Sequence, residues 1–359
     1  MLPAVPGRNY RVCRAALAQD ADWDRFLLEI PGPHHPQSSL WAQSHACLGW
    51  QAVRVTIRED RRILAGAQVL YKPLAALGSV GYIPKGPVFA VDDVQLRSAL
   101  FSALAALASD QRILFLAAQP PAEAVGWLQE LPAHGFRPST ASMAPTASVV
   151  VDLSRDQQTL LNAMRPRTRY NTRLSRRRGI SVREGSSRDL DLYYELVLAT
   201  ASRKAFSPPP KELFAQIWHV LAPLGHAALL VAENDGRGVA AQLLVTFGDT
   251  AVNQLSVWSG DCPDRKPNEA LHWEAILWAK ARGCRSYDFE GIDPAAARAV
   301  LAGEGVPRTL LASYTWFKLG FGGQPTLLPG VYEYFPDPAM RAVYEAGLGQ
   351  FSRPASFEY

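Results

Sequence analysis

Apolar positions along this chain repeat with two different periods, and the switches between them mark out elements. Residues 22–30 and 39–48 carry apolar positions at helical spacing. Residues 52–57 and 63–71 read as two strands around an Arg-Glu-Asp-Arg turn, and 78–83 as a third strand. A helix is predicted over 92–109, with an acidic start and an apolar face of Leu96, Leu100, Leu104 and Leu107. A buried strand at 112–117 and a short helix at 122–131 close this series.

A second, similar series opens with a strand at 148–153. Helical stretches follow, then helices at 189–203 and 211–221, separated by the rigid break Ser207-Pro208-Pro209-Pro210. Three strands at 227–233, 239–247 and 252–258 are joined by Asn234-Asp235-Gly236 and Gly248-Asp249, both hairpin signals. A helix over 268–282, a strand at 286–289, a helix near 308–319 and an extended tail at 325–335 complete it. Two such series in tandem predict two related α/β modules, divided in the polar, proline-containing stretch 138–146.

With 359 residues, 48% hydrophobic and 19% charged, the chain is long enough for two domains with real cores and is not a disordered protein. The net charge of +4 conceals a strong asymmetry. Between Arg155 and Arg183 stand nine arginines and one acid, Asp156, so this segment carries +8 and the remainder −4. Four cysteines (Cys13, Cys47, Cys262, Cys284) form no C-x-x-C pair, which argues against a disulfide framework or a zinc site. The start lacks a basic region followed by an apolar one, and no stretch reaches 18 uninterrupted apolar residues. A cytoplasmic protein without metal or cofactor is expected.

Six motifs in order then resemble a known family. Gly81-Tyr82-Ile83-Pro84-Lys85-Gly86-Pro87 is similar to the Tyr-x-Pro-basic-Gly-Pro signature of the FemABX transferases. Next come the Arg-rich helix from Arg169 to Gly179, Trp258-Ser259-Gly260, and Pro267-Asn268 opening a helix with Trp273. Gly283 with Tyr287-Asp288-Phe289-Glu290-Gly291 follows, and Phe317-Lys318-Leu319-Gly320-Phe321-Gly322 ends the set, which covers roughly residues 30–335. The resemblance implies two tandem N-acetyltransferase-like (GNAT-type) modules with mixed sheets: 1–147, completed by 326–359, and 148–325, which carries the arginine helix. No heptad segment is present, so the chain is similar to the members that lack a coiled-coil arm. The implied activity is transfer of Gly, Ala or Ser from aminoacyl-tRNA to a peptidoglycan precursor (UDP-MurNAc-pentapeptide or lipid II), with peripheral contact to the inner membrane surface and no role for DNA.

The residues give this reading its chemistry. Arg165, Arg169, Arg173 and Arg176 recur every three or four positions and share a helical face, with Arg167 and Arg177 beside them. No acid is interleaved, so mutual repulsion disfavours the empty helix, and guanidinium forks suit phosphates. The resemblance names tRNA as the polyanion. A fixed ammonium at Lys318, one of only seven lysines, is expected to stabilise the oxyanion formed when an amine attacks the aminoacyl ester. Asp288 and Glu290, two apart at a strand end, are expected on one side, where a carboxylate takes the acceptor's proton; Asp288 could equally cap the following loop.

The resemblance assigns substrate contacts to Arg203, Tyr82, Lys85, Trp258, Asn268 and Phe317, and His45 falls near a family lysine that partners Arg203. Ser207 stands where the family has an aromatic residue, and Trp258 where it often has tyrosine. His34, His35 and His272 read as incidental, and no nucleophilic triad stands out. Three alternatives remain open: a tRNA-dependent amide-forming transferase of natural-product biosynthesis, an acyl-CoA-dependent N-acyltransferase, and a non-catalytic RNA-binding protein. The second wants a Gln/Arg-x-x-Gly-x-Gly/Ala pyrophosphate loop, which neither series contains.

Overall fold

A computed structural model of the chain describes residues 10–32, 34–139 and 144–346. They divide into two compact units, one of 10–144 with 328–346, the other Pro145–Leu327.

The first unit begins with β1 (Tyr10–Ala15), α1 (Ala21–Glu29) and α2 (Ser39–His45). Asp20 and Ser38 cap the two helices by accepting the N–H groups of Trp23 and Trp41. Strands β2 (Gln51–Glu59) and β3 (Arg62–Pro73) form the expected hairpin, with Asp60 at a left-handed φ of 52° in its turn. Then come β4 (Ser79–Ile83), β5 (Val88–Phe89), α3 (Val94–Asp110), β6 (Ile113–Ala118) and β7 (Arg137–Pro138). Helix α3 buries the leucine face its spacing predicted. The short helix expected at 122–131 is instead two 3₁₀ turns, Ala122–Gly126 and Leu128–His134. Pro132 sits inside the second and has no N–H with which to extend an α-helical ladder.

The second unit runs β8 (Ala147–Asp152), α4 (Gln157–Ala163), α5 (Pro166–Arg177), β9 (Ile180–Glu184), α6 (Leu190–Lys204) and α7 (Lys211–Leu221). It continues with β10 (Ala227–Asn234), β11 (Arg237–Phe247), β12 (Thr250–Trp258), α8 (Pro267–Ala281), β13 (Ser286–Asp288), α9 (Pro294–Leu301), α10 (Tyr314–Leu319) and β14 (Gln324–Leu327). The helix expected near 308–319 is a 3₁₀ turn at Arg308–Leu310 followed by α10. Two elements, β15 (Tyr332–Tyr334) and α11 (Pro338–Glu345), return to the first unit.

Both sheets are mixed, and both follow one path. The first has the order β1-β2-β3-β4-β6-β15-β7, with β5 on β3; the second has β14-β8-β13-β12-β11-β10-β9. Each is an antiparallel meander of four strands, one parallel pair (β4/β6 or β12/β13), then two more antiparallel strands. A parallel neighbour requires a crossover, and α3 and α8 supply it. In the second unit β13 pairs with β12 only from Thr250↔Ser286 to Val252↔Asp288, while β12 continues to Trp258. The sheet therefore opens beyond Asp288, and the candidate site forms at that opening.

Candidate active site

Lys318 lies in the last turn of α10, a six-residue helix capped by the Ser313 hydroxyl group. Its ammonium donates to the carbonyl oxygen of Gly291 at 2.7 Å and to that of Glu290. Those carbonyls are presented by a loop with left-handed backbone at both residues, φ 49° at Glu290 and 42° at Gly291. The loop is shaped by Asp288, which is 3% exposed and accepts the Glu290 N–H at 2.8 Å and the Ser148 hydroxyl. Strand β13 ends at Asp288, so the alternation that predicted Asp288 and Glu290 on one side stops short of Glu290. Both carboxylates nonetheless act on the same ammonium. Burial pushes the Lys318 pKa down to about 8, against the opposing fields of Glu290 and Asp288. An amine there titrates close to neutral pH, and two of its three donors are already engaged.

Beneath Lys318 lies a floor of rings. Phe317 packs on Phe321 at 5.3 Å, Phe321 on Phe289 at 5.2 Å, and Phe289 on Tyr287 at 4.9 Å. His272 of α8 contacts three of them, at 5.1 Å from Phe289, 5.3 Å from Phe317 and 5.6 Å from Phe321. Burial, with Lys318 close by, lowers its pKa to about 3, so it is neutral. Expected from the sequence to be incidental, His272 is instead a neutral wall of the lysine site. A buried polar chain extends behind it. The Gln242 amide donates to the Tyr287 hydroxyl and, at 2.8 Å, to Asn253, whose own amide reaches the Phe289 carbonyl at 3.3 Å. Nothing local in the sequence marks these partners, because they come from β11, β12 and β13.

The arginine helix is α5. Pro166 occupies its first turn and Gly179 follows it at φ 84°, as expected. Its buried face is Thr168, Thr172 and Ser175, and Asn171 donates to Glu269 of α8 at 2.8 Å. Arg167, Arg173, Arg176 and Arg177 are exposed, and Arg169 is half-buried against the carbonyls of Asn162 and Met164. Among the described residues no acid pairs with any of these five, whereas Arg178 is tied to Asp264 and Arg183 to Asp189 and Glu233. Arg165 departs from the expected phosphate-facing row. It precedes the helix, is half-buried, donates to the Trp316 carbonyl and stacks on the Trp316 ring at 3.3 Å.

Arg203 and Trp258, assigned to one role from separate motifs, meet each other. The guanidinium donates to the Trp258 carbonyl and lies 4.6 Å from its ring centre, and Thr200 bonds the same carbonyl at 3.0 Å. Asn268 is half-buried in the first turn of α8. In the first unit Tyr82 and Lys85 are both buried, with Lys85 at φ 47° before the cis Gly86–Pro87 bond. His45 turns Nδ1 to the Trp41 carbonyl at 2.9 Å and packs its ring on Trp41. Burial lowers its pKa to about 4, so at neutral pH it does not supply the positive charge of the family's lysine.

Among the described residues no cluster of three or more His, Cys, Asp or Glu side chains is arranged to hold a metal ion. No described helix is long and apolar enough to cross a membrane.

Comparison with known proteins agrees with this architecture. A FemAB family model matches residues 19–126, and an acetyltransferase (GNAT) domain model matches 163–297. The lipid II:glycine glycyltransferase of Staphylococcus aureus strain MRSA252 is 26% identical over 225 residues, which cover 60% of this chain and 53% of that protein. The chain thus spans about half the length of the curated relatives it matches. The crystal structure of FemX superposes with a TM-score of 0.77 at 18% identity, covering 93% of this chain and 99% of that one. A tandem GNAT protein from the clavulanic acid biosynthesis pathway gives 0.56 at 14% identity, covering 92% and 99%. The fold is therefore two tandem GNAT-type modules.

Proposed function

Since the chain belongs to the FemABX family, we propose that it is an aminoacyltransferase that moves an amino acid from aminoacyl-tRNA to the stem-peptide amine of a peptidoglycan precursor. The observation that carries this reading is the caged ammonium of Lys318 beside Asp288 and Glu290. The acceptor amine attacks the ester carbonyl, an amide C–N bond forms, and the ester C–O bond breaks to release the ribose hydroxyl. The proton lost by the amine ends on that ribose oxygen. With two N–H donors held by carbonyls, the third N–H of Lys318 is free to meet the oxyanion, where a fixed donor is worth about 3–4 kcal/mol. Glu290 and Asp288 hold the incoming ammonium or receive its proton.

In this reading Arg167, Arg169, Arg173, Arg176 and Arg177 grip the RNA phosphates, since no acid competes for them. Arg203 and Trp258 contact the precursor, with Asn268, Phe317, Tyr82, Lys85 and His45 among the further contacts. Glycine, alanine or serine is the residue transferred, and the protein acts in the cytoplasm on a nucleotide- or lipid-linked precursor, the latter at the inner membrane surface. The test is incubation with labelled charged tRNA and muropeptide precursors, read by mass spectrometry. Mass gain of one such residue on the precursor is expected. Acetylation from acetyl-CoA, with no transfer from tRNA, would overturn the reading.

A further inference from the structure

Unlike the exposed Arg167, Arg173, Arg176 and Arg177, Arg165 turns its fork into the protein. Its backbone N–H donates to the Gly320 carbonyl at 2.9 Å, and its guanidinium donates to the Trp316 carbonyl while stacking on the Trp316 ring at 3.3 Å. It thereby grips the chain two residues before Lys318 and two residues after it. Its Nε is enclosed without a hydrogen-bond partner among the described residues, and no acid neutralises it there. A one-and-a-half-turn helix such as α10 has little rigidity of its own and takes its position from what holds its ends.

The fit at this junction is close. A Cβ on Gly320 would lie 2.6 Å from the Arg165 terminal nitrogen and 2.9 Å from the Phe317 carbonyl. A Cβ on Gly322, at φ 83°, would lie 2.6 Å from the Ala163 carbonyl. The segment carrying Lys318 is thus laid directly on the α4–α5 junction. Of the two long cationic side chains, arginine combines a planar face for the indole with an in-plane donor for the carbonyl, whereas lysine offers a point charge.

We propose that Arg165 is a positioning residue: it fastens the turn that carries Lys318 to the base of the arginine helix and makes no contact with nucleic acid. The proposal rests on the reading of Lys318 as the reactive lysine. The charged and titratable groups facing that lysine are Asp288 from the end of β13, Glu290 from the loop after it, His272 from α8 and Tyr314 from its own helix.

The test uses the full chain with Arg165→Met, Arg165→Lys and Trp316→Leu. First, competitive acetylation of Lys318 by acetic anhydride, read by peptide mass spectrometry, follows its titration without requiring activity. Half-labelling is expected near pH 8 in the wild type and displaced toward the ordinary lysine value of about 10.4 in Arg165→Met and Trp316→Leu, with Arg165→Lys failing to restore it. Second, transfer should slow by roughly tenfold to a hundredfold, with affinity for charged tRNA changed less than about twofold. An unmoved half-labelling pH in both Arg165→Met and Trp316→Leu would overturn the proposal, whatever the activity. A fall in tRNA affinity with Lys318 labelling unmoved would make Arg165 a nucleic-acid contact instead. If the wild type transfers nothing, the labelling result still decides the link between Arg165 and Lys318, while the functional reading alone fails. Should Arg165→Met not fold, Trp316→Leu, which keeps the arginine and removes its stacking partner, carries the same labelling test.

Discussion

Asp288 accepts the backbone N–H of Glu290 at 2.8 Å, and the carbonyl of that same Glu290 accepts the Lys318 ammonium. One buried carboxylate therefore shapes the loop that cages the lysine and also lends it a negative field. The two roles separate in Asp288→Asn, which keeps an acceptor for the N–H and removes the charge. Without that charge the Lys318 pKa falls below about 8. The alkaline limb of a rate profile that depends on the ammonium is expected to move to lower pH. Rates measured from pH 6 to 10 check it; an unmoved limb would separate Lys318 from the rate.

Lys318 also ties stability to pH. Its folded pKa, about 8, lies below the unfolded value near 10.5, so between these values the unfolded chain binds more protons and stability from this group rises with pH. The cost of burying the ammonium is full below pH 8, at most about 3 kcal/mol, and fades by pH 10.5. The stability of Lys318→Met relative to the wild type should therefore decline as pH rises from 8 to 10.5. Urea titrations at pH 7, 9 and 10.5 measure it, and a constant difference would contradict the shifted pKa.

The arginine helix divides into free and committed guanidinium groups. Arg173 and Arg176 are exposed without acid partners, while Arg178 is bonded to Asp264 at 2.7 Å through its carbonyl and 3.2 Å through its carboxylate. Arg173→Glu and Arg176→Glu should weaken tRNA binding and lower the salt slope by about 0.7–0.9 for each phosphate that is no longer neutralised. Arg178→Glu should do less. Binding measured between 50 and 300 mM salt reads both, and equal effects at all three sites would mean simple net charge and no docking face.

Arg203 is exposed, yet its fork is held by the Trp258 carbonyl and ring. A guanidinium pre-set in this way binds an anionic group with little further ordering. Arg203→Ala should raise KM for an anionic precursor by roughly tenfold, about 1.4 kcal/mol, with melting nearly unchanged. Steady-state kinetics with varied precursor decide this; an unchanged KM would exclude Arg203 from recognition.

Much of the architecture was legible where local pattern and local chemistry coincide. The meander β10–β12 follows from alternating apolar runs and two hairpin turns, and α5 from Pro166 and Gly179 at its ends. Helix α9 escaped notice although Asp293 and Pro294 form a regular start, because its alanines give a weak apolar face. Strand β15 pairs with β6 across more than two hundred residues, a relationship with no local trace. The same holds for the site. Lys318 and the acids were visible as chemistry, but Glu290 leaves strand geometry at φ 49°, and His272 gains its place only through the rings of Phe289, Phe317 and Phe321, distant from it in the chain. Arg165 kept the helical spacing of its neighbours, while a tryptophan 151 residues away determines where its fork points.

The most direct measurement is a single-turnover chase of radiolabelled aminoacyl-tRNA in the presence of a muropeptide precursor, with the wild type and Lys318→Met compared at pH 7. The label should move to the precursor with the wild type, and at least about a hundredfold more slowly with the variant, whose affinity for the tRNA is unchanged. Label that stays on the tRNA with the wild type, or moves equally fast with both, would contradict the account.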